Sequence, residues 1–272
     1  MKIIDCHTHI GTFGGVGEES DEKTAAELIR SMDEADIDMS LVIANNLKGN
    51  EGGITSEELV EEVQKFPARL RAIANLDFPR MKEEDYVGNL LKMLESEHII
   101  GLKLFVGYQQ YDPCDEEIIP LYEACEERDM PVMFHTGYLL EGALGDREDA
   151  HPRIVGKLAK KFPKLTIIAA HFGNPWTKEC GEIMRKYQNV YADLSGYFEE
   201  LQPISEKEKQ EFHEDVKILK EAAGGLDKCL FGTDWWLYSQ REYKEVVESL
   251  PLSEKERELI FYENAKRIFN LE

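Results

Sequence analysis

The chain has 272 residues, 42% of them apolar and 32% charged, a balance that excludes a disordered polymer and suits a soluble, enzyme-like globule. Its 32 basic residues stand against 54 acidic ones, giving a formal charge of −22 and a pI near 4.8. Such a surface repels phosphate backbones and anionic lipid, which sets nucleic acid and membrane surfaces aside as partners. The chain begins directly on a strand, and neither a signal-like run nor a transmembrane stretch is expected. Five scattered cysteines (Cys6, Cys114, Cys125, Cys180, Cys229) form no Cys-x-x-Cys pair, so all five are read as structural thiols of a reducing cytoplasm.

Short apolar runs alternate with longer amphipathic ones. A strand at Lys2–Cys6 is followed by a helix at Lys23–Ala35, then Leu41–Ala44 by Ser56–Phe66, and Arg71–Leu76 by Glu83–Glu95. Gly101–Phe105 precedes a helix at Asp115–Arg128, Val132–His135 one at Arg153–Phe162, and Thr166–Ala170 one at Thr177–Tyr187. Val190–Leu194 leads to Glu206–Ala222, and Cys229–Gly232 to a helical C-terminus through Arg267 and Ile268. Pro67, Pro131, Pro163 and Gly224-Gly225 stop helices in this pattern. Eight strand–helix units predict a parallel sheet closed into a (β/α)8 TIM barrel, with residues 1–272 as a single domain. The segments leaving strand C-termini are long and those returning are short, so the site is expected on the C-terminal face. One of them holds a glycine-rich run, Gly11 to Gly17, which lacks the Gly-Lys-Ser/Thr ending of a phosphate-binding loop.

Polar residues collect at that face. His7 and His9 share a face of the first strand by simple alternation, with Cys6 turned away from Asp5 and His7. His135 ends the fifth strand, His171 the sixth and Asp234 the eighth, each after an apolar run. Imidazoles with one carboxylate can hold a divalent metal with an open position, and a spare histidine beside it can move protons. Lys103 lies between Leu102 and Leu104 and therefore points opposite to them, into the barrel. Arg80, Arg147 and Arg153 could fork onto a substrate carboxylate, and Trp176, Trp235, Trp236, Tyr108, Tyr197 and Phe13 could wall a pocket. Asp193 and Ser195 share a face at the end of the seventh strand, suited to orienting a ligand. His98, His151 and His213 are set aside as surface groups.

Asp5-x-His7-x-His9, Gly101-Leu102-Lys103-Leu104-Phe105, Phe134-His135-Thr136-Gly137, Ala170-His171-Phe172-Gly173 and Gly232-Thr233-Asp234-Trp235, in that order, resemble the amidohydrolase superfamily. The resemblance is to its branch containing aminocarboxymuconate semialdehyde decarboxylase and related small hydrolases. It implies one divalent ion, zinc first and manganese second, on His7, His9, His135 and Asp234, with His171 as the acid/base and Asp234 sharing in proton transfer. It also implies an unmodified Lys103 contacting substrate or a neighbouring carboxylate, rather than the carbamylated lysine of binuclear members. Arg147, Trp176 and Trp235 are the further candidate substrate contacts read from the residues themselves.

The leading expectation is a metal-dependent hydrolase in which metal-activated water attacks the carbonyl of an amide, lactone or ester. The second is a non-oxidative decarboxylase of an unsaturated or aromatic acid at the same site. A TatD-like nuclease is disfavoured by the chain's acidity, and a non-catalytic metal-binding barrel by the full ligand set. The expected partner is a small-molecule substrate. An apolar face at Leu259, Ile260 and Phe261 would suit a homodimer if it is exposed.

Overall fold

The computed structural model describes residues 1–12, 23–47, 52–140, 143 and 145–271; Phe13 and most of the glycine-rich run lie outside them. Eight parallel strands follow one another in chain order: β1 (Ile4–Thr8), β2 (Met39–Ile43), β3 (Leu70–Leu76), β4 (Ile99–Leu104), β5 (Val132–Phe134), β6 (Ile167–Ala169), β7 (Val190–Asp193) and β8 (Cys229–Leu230). The ring is closed by backbone bonds from β1 to the segment after β8. Cys6 N–H donates to Phe231 O at 2.9 Å, Asp234 N–H to His7 O at 2.8 Å and His9 N–H to Trp235 O at 2.6 Å. Between strands run α1 (Ala25–Ala35), α2 (Ser56–Val63), α3 (Tyr86–Met93), α4 (Ile119–Glu127), α5 (Arg153–Lys161), α6 (Thr177–Lys186) and α7 (Glu206–Ala223). After β8 come α8 (Gln240–Glu248), α9 (Glu254–Glu258), a wide π-type turn at Leu259–Glu263, and α10 (Asn264–Ile268).

Strand alternation divides the core in two. Ile4, Leu41, Ile43, Ile73, Met133, Ile168 and Leu230 fill the barrel, with Phe269 and Leu271 in the same cluster. Val42, Ala72, Leu102, Leu104, Val132, Ile167 and Val190 face outward onto the helices. Each buried Leu, Ile or Val contributes about 1.5–3 kcal/mol, so both faces are needed for stability. Two strand pairs slip in register, β3–β4 between Ala72 and Ala74, and β1–β2 beside the site. The β1–β2 register shifts between Asp5 and Thr8, and Cys6 joins the interior cluster while His7 still reaches the cavity. Cys6 thus faces away from Asp5 but not from His7, and simple alternation misplaced it.

The apolar face expected at the C-terminus is not exposed. Ile260 and Phe261 are fully buried, and Phe261 packs 4.9 Å from the Phe231 ring. The wide turn rolls these residues under the barrel, which removes that ground for a homodimer.

Capping boxes open α1, α2, α7 and α9, where Thr24, Thr55, Ser205 and Ser253 exchange hydrogen bonds with Glu27, Glu58, Glu208 and Glu256. In Glu27 and Glu58 the bonds from the capping threonine hold the carboxyl below its ordinary 4.5. In Glu208 and Glu256 partial burial opposes ionisation, but the capping serine at Glu208, and Lys220 followed by the capping serine at Glu256, outweigh it. A depressed carboxyl stabilises the fold above the unfolded value and loses that contribution as pH falls through the folded one. Stability is therefore expected to fall below pH 4.5, and less steeply in a variant with all four glutamates changed to Gln, measured by urea unfolding across pH.

Candidate metal centre

His9 follows β1, His135 follows β5, His171 follows β6 and Asp234 follows β8, while His7 lies within β1; all are buried at the C-terminal mouth of the barrel. His171 (φ 60°) and Asp234 (φ 63°) both adopt the left-handed region, which costs a non-glycine residue of order 1 kcal/mol and turns each side chain inward just beyond its strand. Gly196 lies against His171, and a Cβ there would collide with the imidazole.

The hydrogen bonds fix the tautomers of the four histidines at this mouth. His7 Nδ1 lies 3.0 Å from Asp193 Oδ2, and His9 Nδ1 3.0 Å from Ile43 O. His135 Nε2 lies 2.8 Å from Tyr138 O. These partners only accept, so each of these nitrogens carries the proton. Ser195 Oγ gives its own proton to Asp193 Oδ1 and so accepts from His171 Nδ1 at 3.0 Å. All four rings donate outward and turn a bare nitrogen inward. There His9 Nε2 and His7 Nε2 approach Asp234 Oδ1 at 3.2 and 3.6 Å, and His171 Nε2 faces His135 Nδ1 at 3.2 Å. Four lone pairs and a carboxylate converge with no proton to share among them. A cation fits that arrangement, and a well-formed hydrogen-bond network does not.

The electrostatics agree. Burial, with the charge of Lys103, holds His7 below its ordinary value, and burial also lowers His9. Burial, aided by His171, takes His135 far down, and burial aided by His7 takes His171 to about 4. Burial opposes ionisation of Asp234, and His7, His9 and His171 can hold its carboxyl below the usual range only when they carry inward protons, which their outward bonds deny them, so a cation is needed in that place. Neutral imidazoles around an ionised carboxylate are the protonation state that metal binding requires. Among the described residues, the donor atoms of His7, His171 and Asp234 lie within 4.8 Å of one another, so by distance alone His171 joins the cluster and His135 does not.

Two acids behind the centre hold it in place. Asp193 accepts from His7 and Ser195 and from the backbone N–H groups of His171 (3.0 Å) and Ser195 (3.1 Å). Burial works against its ionisation, and His7, His171 and Ser195 more than reverse that. Asp5 accepts from Thr233 N–H (3.0 Å), Thr233 Oγ1 (2.6 Å), Gln240 Nε2 (2.8 Å) and His7 N–H (3.2 Å), tying β1 to the turn that carries Asp234. Burial pushes the Asp5 carboxyl up to about 7 despite those donors.

A cavity of about 60 Å³ opens above the centre, lined by Lys103, Phe105, Tyr108, Tyr138, Leu139, Leu140, Glu200, Leu237 and Tyr238 together with the histidines and Asp234. Lys103 and Tyr108 stand where the sequence placed them. Arg147, Trp176 and Trp235 are not among the lining residues. Trp176 stacks on His151 at 4.5 Å, and Arg147 lies over the Tyr138 and Trp176 rings at 5.2 and 5.3 Å. Trp235 serves through its backbone, pairing with the end of β1. Tyr197 packs on Phe172 at 5.7 Å instead of walling the cavity. Glu200 and Tyr238 are additions that no local motif announces, since both come from loops whose path depends on the closed barrel.

Lys103 is fully buried, and burial pushes its ammonium down to about 8. Its Nζ has no hydrogen-bond partner among the described residues. Lys103→Met is expected to stabilise the metal-free protein by about 1–4 kcal/mol, because it removes an unpaired buried charge at nearly constant volume. A higher urea midpoint at neutral pH checks this.

Comparison with known proteins agrees with the barrel. Gamma-resorcylate decarboxylase from Polaromonas sp. strain JS666 is 24% identical over 302 residues, 89% of this chain and 86% of its own. The solved structure of a dihydroxybenzoic acid decarboxylase from Polaromonas sp. JS666, with bound manganese and the inhibitor 2-nitroresorcinol, has a TM-score of 0.73 at 19% identity, over 99% of this chain and 97% of that one. A probable 2-pyrone-4,6-dicarboxylic acid hydrolase from Acinetobacter baumannii, solved with citric acid bound, has a TM-score of 0.70 at 16% identity, over 99% and 100%. The sequence profile described as amidohydrolase matches residues 4–271, and with that match across nearly its whole length the chain belongs to the amidohydrolase family of enzymes.

Proposed function

We propose that this protein holds one divalent metal ion and acts at the carbonyl or carboxyl carbon of a small organic molecule, hydrolysis being the first reading. The observation that carries it is the inward turn of bare imidazole nitrogens at one point, His7 and His9 onto the Asp234 carboxylate, His171 within 4.8 Å of it, and His135 3.2 Å from His171. His7, His9, His135 and Asp234 are the holders, zinc suits that nitrogen-rich set, and manganese is the ion of the Polaromonas structure. Such an ion supplies Lewis acidity, polarising a carbonyl and bringing the pKa of water down to about 7.

The chain's own residues supply the rest. His171, neutral at physiological pH and braced by Ser195, presents Nε2 to take a proton from water and return it to a leaving group. Asp234 Oδ1 stands beside the same space as a second proton acceptor. Phe105, Leu139, Leu140 and Leu237 line the cavity with apolar surface that limits bulk water. The second reading, non-oxidative decarboxylation, is favoured by the relative that aligns over 89% of the chain. In that reading His171 delivers the proton that replaces CO2 on the carbon left behind.

One assay separates the two. The metal-loaded protein is given panels of aromatic acids and of lactones, esters and amides in ¹⁸O-labelled water, with CO2 release followed in parallel. Hydrolysis predicts ¹⁸O in the product without CO2, and decarboxylation predicts CO2 without ¹⁸O. Turnover that survives a chelator would remove both.

A further inference from the structure

We propose that Lys103 is the anion anchor of this cavity and that the substrate is a monoanion whose carboxylate sits on its ammonium. The inference rests on the metal-centre reading above and adds to it the charge of the substrate and the residue that selects it.

Lys103 comes from near the C-terminal end of an apolar strand, and its side chain is among the largest fully buried ones in the protein. It reaches the cavity wall, where no carboxylate comes within ion-pair distance of Nζ among the described residues. Its recorded neighbour is the Phe105 ring, whose centroid lies 5.2 Å from Nζ. A cation–π contact of that kind is worth a kcal/mol or two, far less than desolvating an ammonium costs. Glu200, on the same cavity wall, is half-buried and forms no ion pair with it, and the buried acids that could have answered it are engaged elsewhere. Asp193 is taken up by His7, Ser195 and two backbone N–H groups, and Asp234 faces His7 and His9. Asp5 belongs to Thr233 and Gln240.

A bound divalent ion sharpens the imbalance. Among the buried groups, Asp193 and Asp234 supply two negative charges, and Lys103 with the ion supplies three positive ones, leaving one net positive charge at the low-dielectric floor, while the Glu200 carboxylate on the same wall is half-buried and reaches solvent. A substrate with one carboxylate cancels it, and a neutral substrate leaves it standing. The Phe105 and Tyr108 rings, 6.1 Å apart, give the anion an aromatic-lined approach.

The test uses zinc-loaded protein with benzoate and its neutral isostere benzamide, titrated calorimetrically into wild type and Lys103→Met. Wild type is expected to bind benzoate about tenfold or more tightly than benzamide, and Lys103→Met to lose that preference while keeping the zinc content of wild type. Met at this position removes an unpaired charge, so the variant is expected to fold, and a thermal melt verifies it. Equal benzoate affinity in the two proteins, or no preference for benzoate in wild type, overturns the proposal. The mass of one added CO2 on wild type, absent from Lys103→Met in native mass spectrometry, overturns it too, because a carbamate would make residue 103 an anion. Failure of the metal-centre reading shows separately, as wild type without zinc, and the benzoate preference with its dependence on Lys103 still decides the inference.

Discussion

Asp193→Ala is expected to weaken metal binding about 10- to 100-fold and to destabilise the fold by about 3–5 kcal/mol. The acid accepts from His7 Nδ1, from Ser195 Oγ and from two backbone N–H groups, one of them on His171. Removing it leaves His7 free to change tautomer and releases the hydroxyl that fixes His171, so two inward nitrogens lose their orientation together. Metal titration with a competing chelator reads the first effect and urea unfolding the second. Asp193→Asn is the sharper variant, because it preserves volume but can point an amide N–H at His7. A variant that binds metal as tightly as wild type would mean that the ring orientations are set by packing instead.

The second large effect separates two histidines that look alike. His135 and His171 face each other at 3.2 Å, each with one nitrogen tied outward and one inward. With His135 as ligand and His171 as acid/base, His171→Asn keeps the metal but loses about 10²- to 10⁴-fold in turnover. His135→Asn then loses the metal itself. The distance cluster of His7, His171 and Asp234 makes the exchanged assignment the natural rival. Metal retained in His135→Asn and lost in His171→Asn would establish that rival.

Much of this centre was legible before any coordinates, because barrel geometry converts position in the chain into position in space. A polar residue at the end of an apolar strand lies at the C-terminal mouth, and His135, His171 and Asp234 all obey that rule. Lys103 was legible for a related reason, since its leucine neighbours face the helices and strict alternation sends it inward. The failures share a physical cause. The slip in β1 that brings both Cys6 and His7 inward depends on pairing with β2, which no local pattern encodes. Ile260 and Phe261 read as an open apolar face because a regular helix was assumed, whereas the π-type turn rotates them into the core. Arg147, between β5 and α5, and Trp176, between β6 and α6, pack on each other, with Arg147 also over Tyr138, and are not among the cavity's lining residues. Glu200 and Tyr238 reach the cavity through loop paths that only the closed barrel defines.

The measurement closest to the central claim is metal content per chain by plasma mass spectrometry, on wild type and on the His7→Ala/His9→Ala variant. The converging lone pairs predict about one divalent ion per chain in wild type and a large loss in the double variant. Wild type that stays metal-free after incubation with zinc and with manganese, or a double variant that retains its ion, would contradict the account.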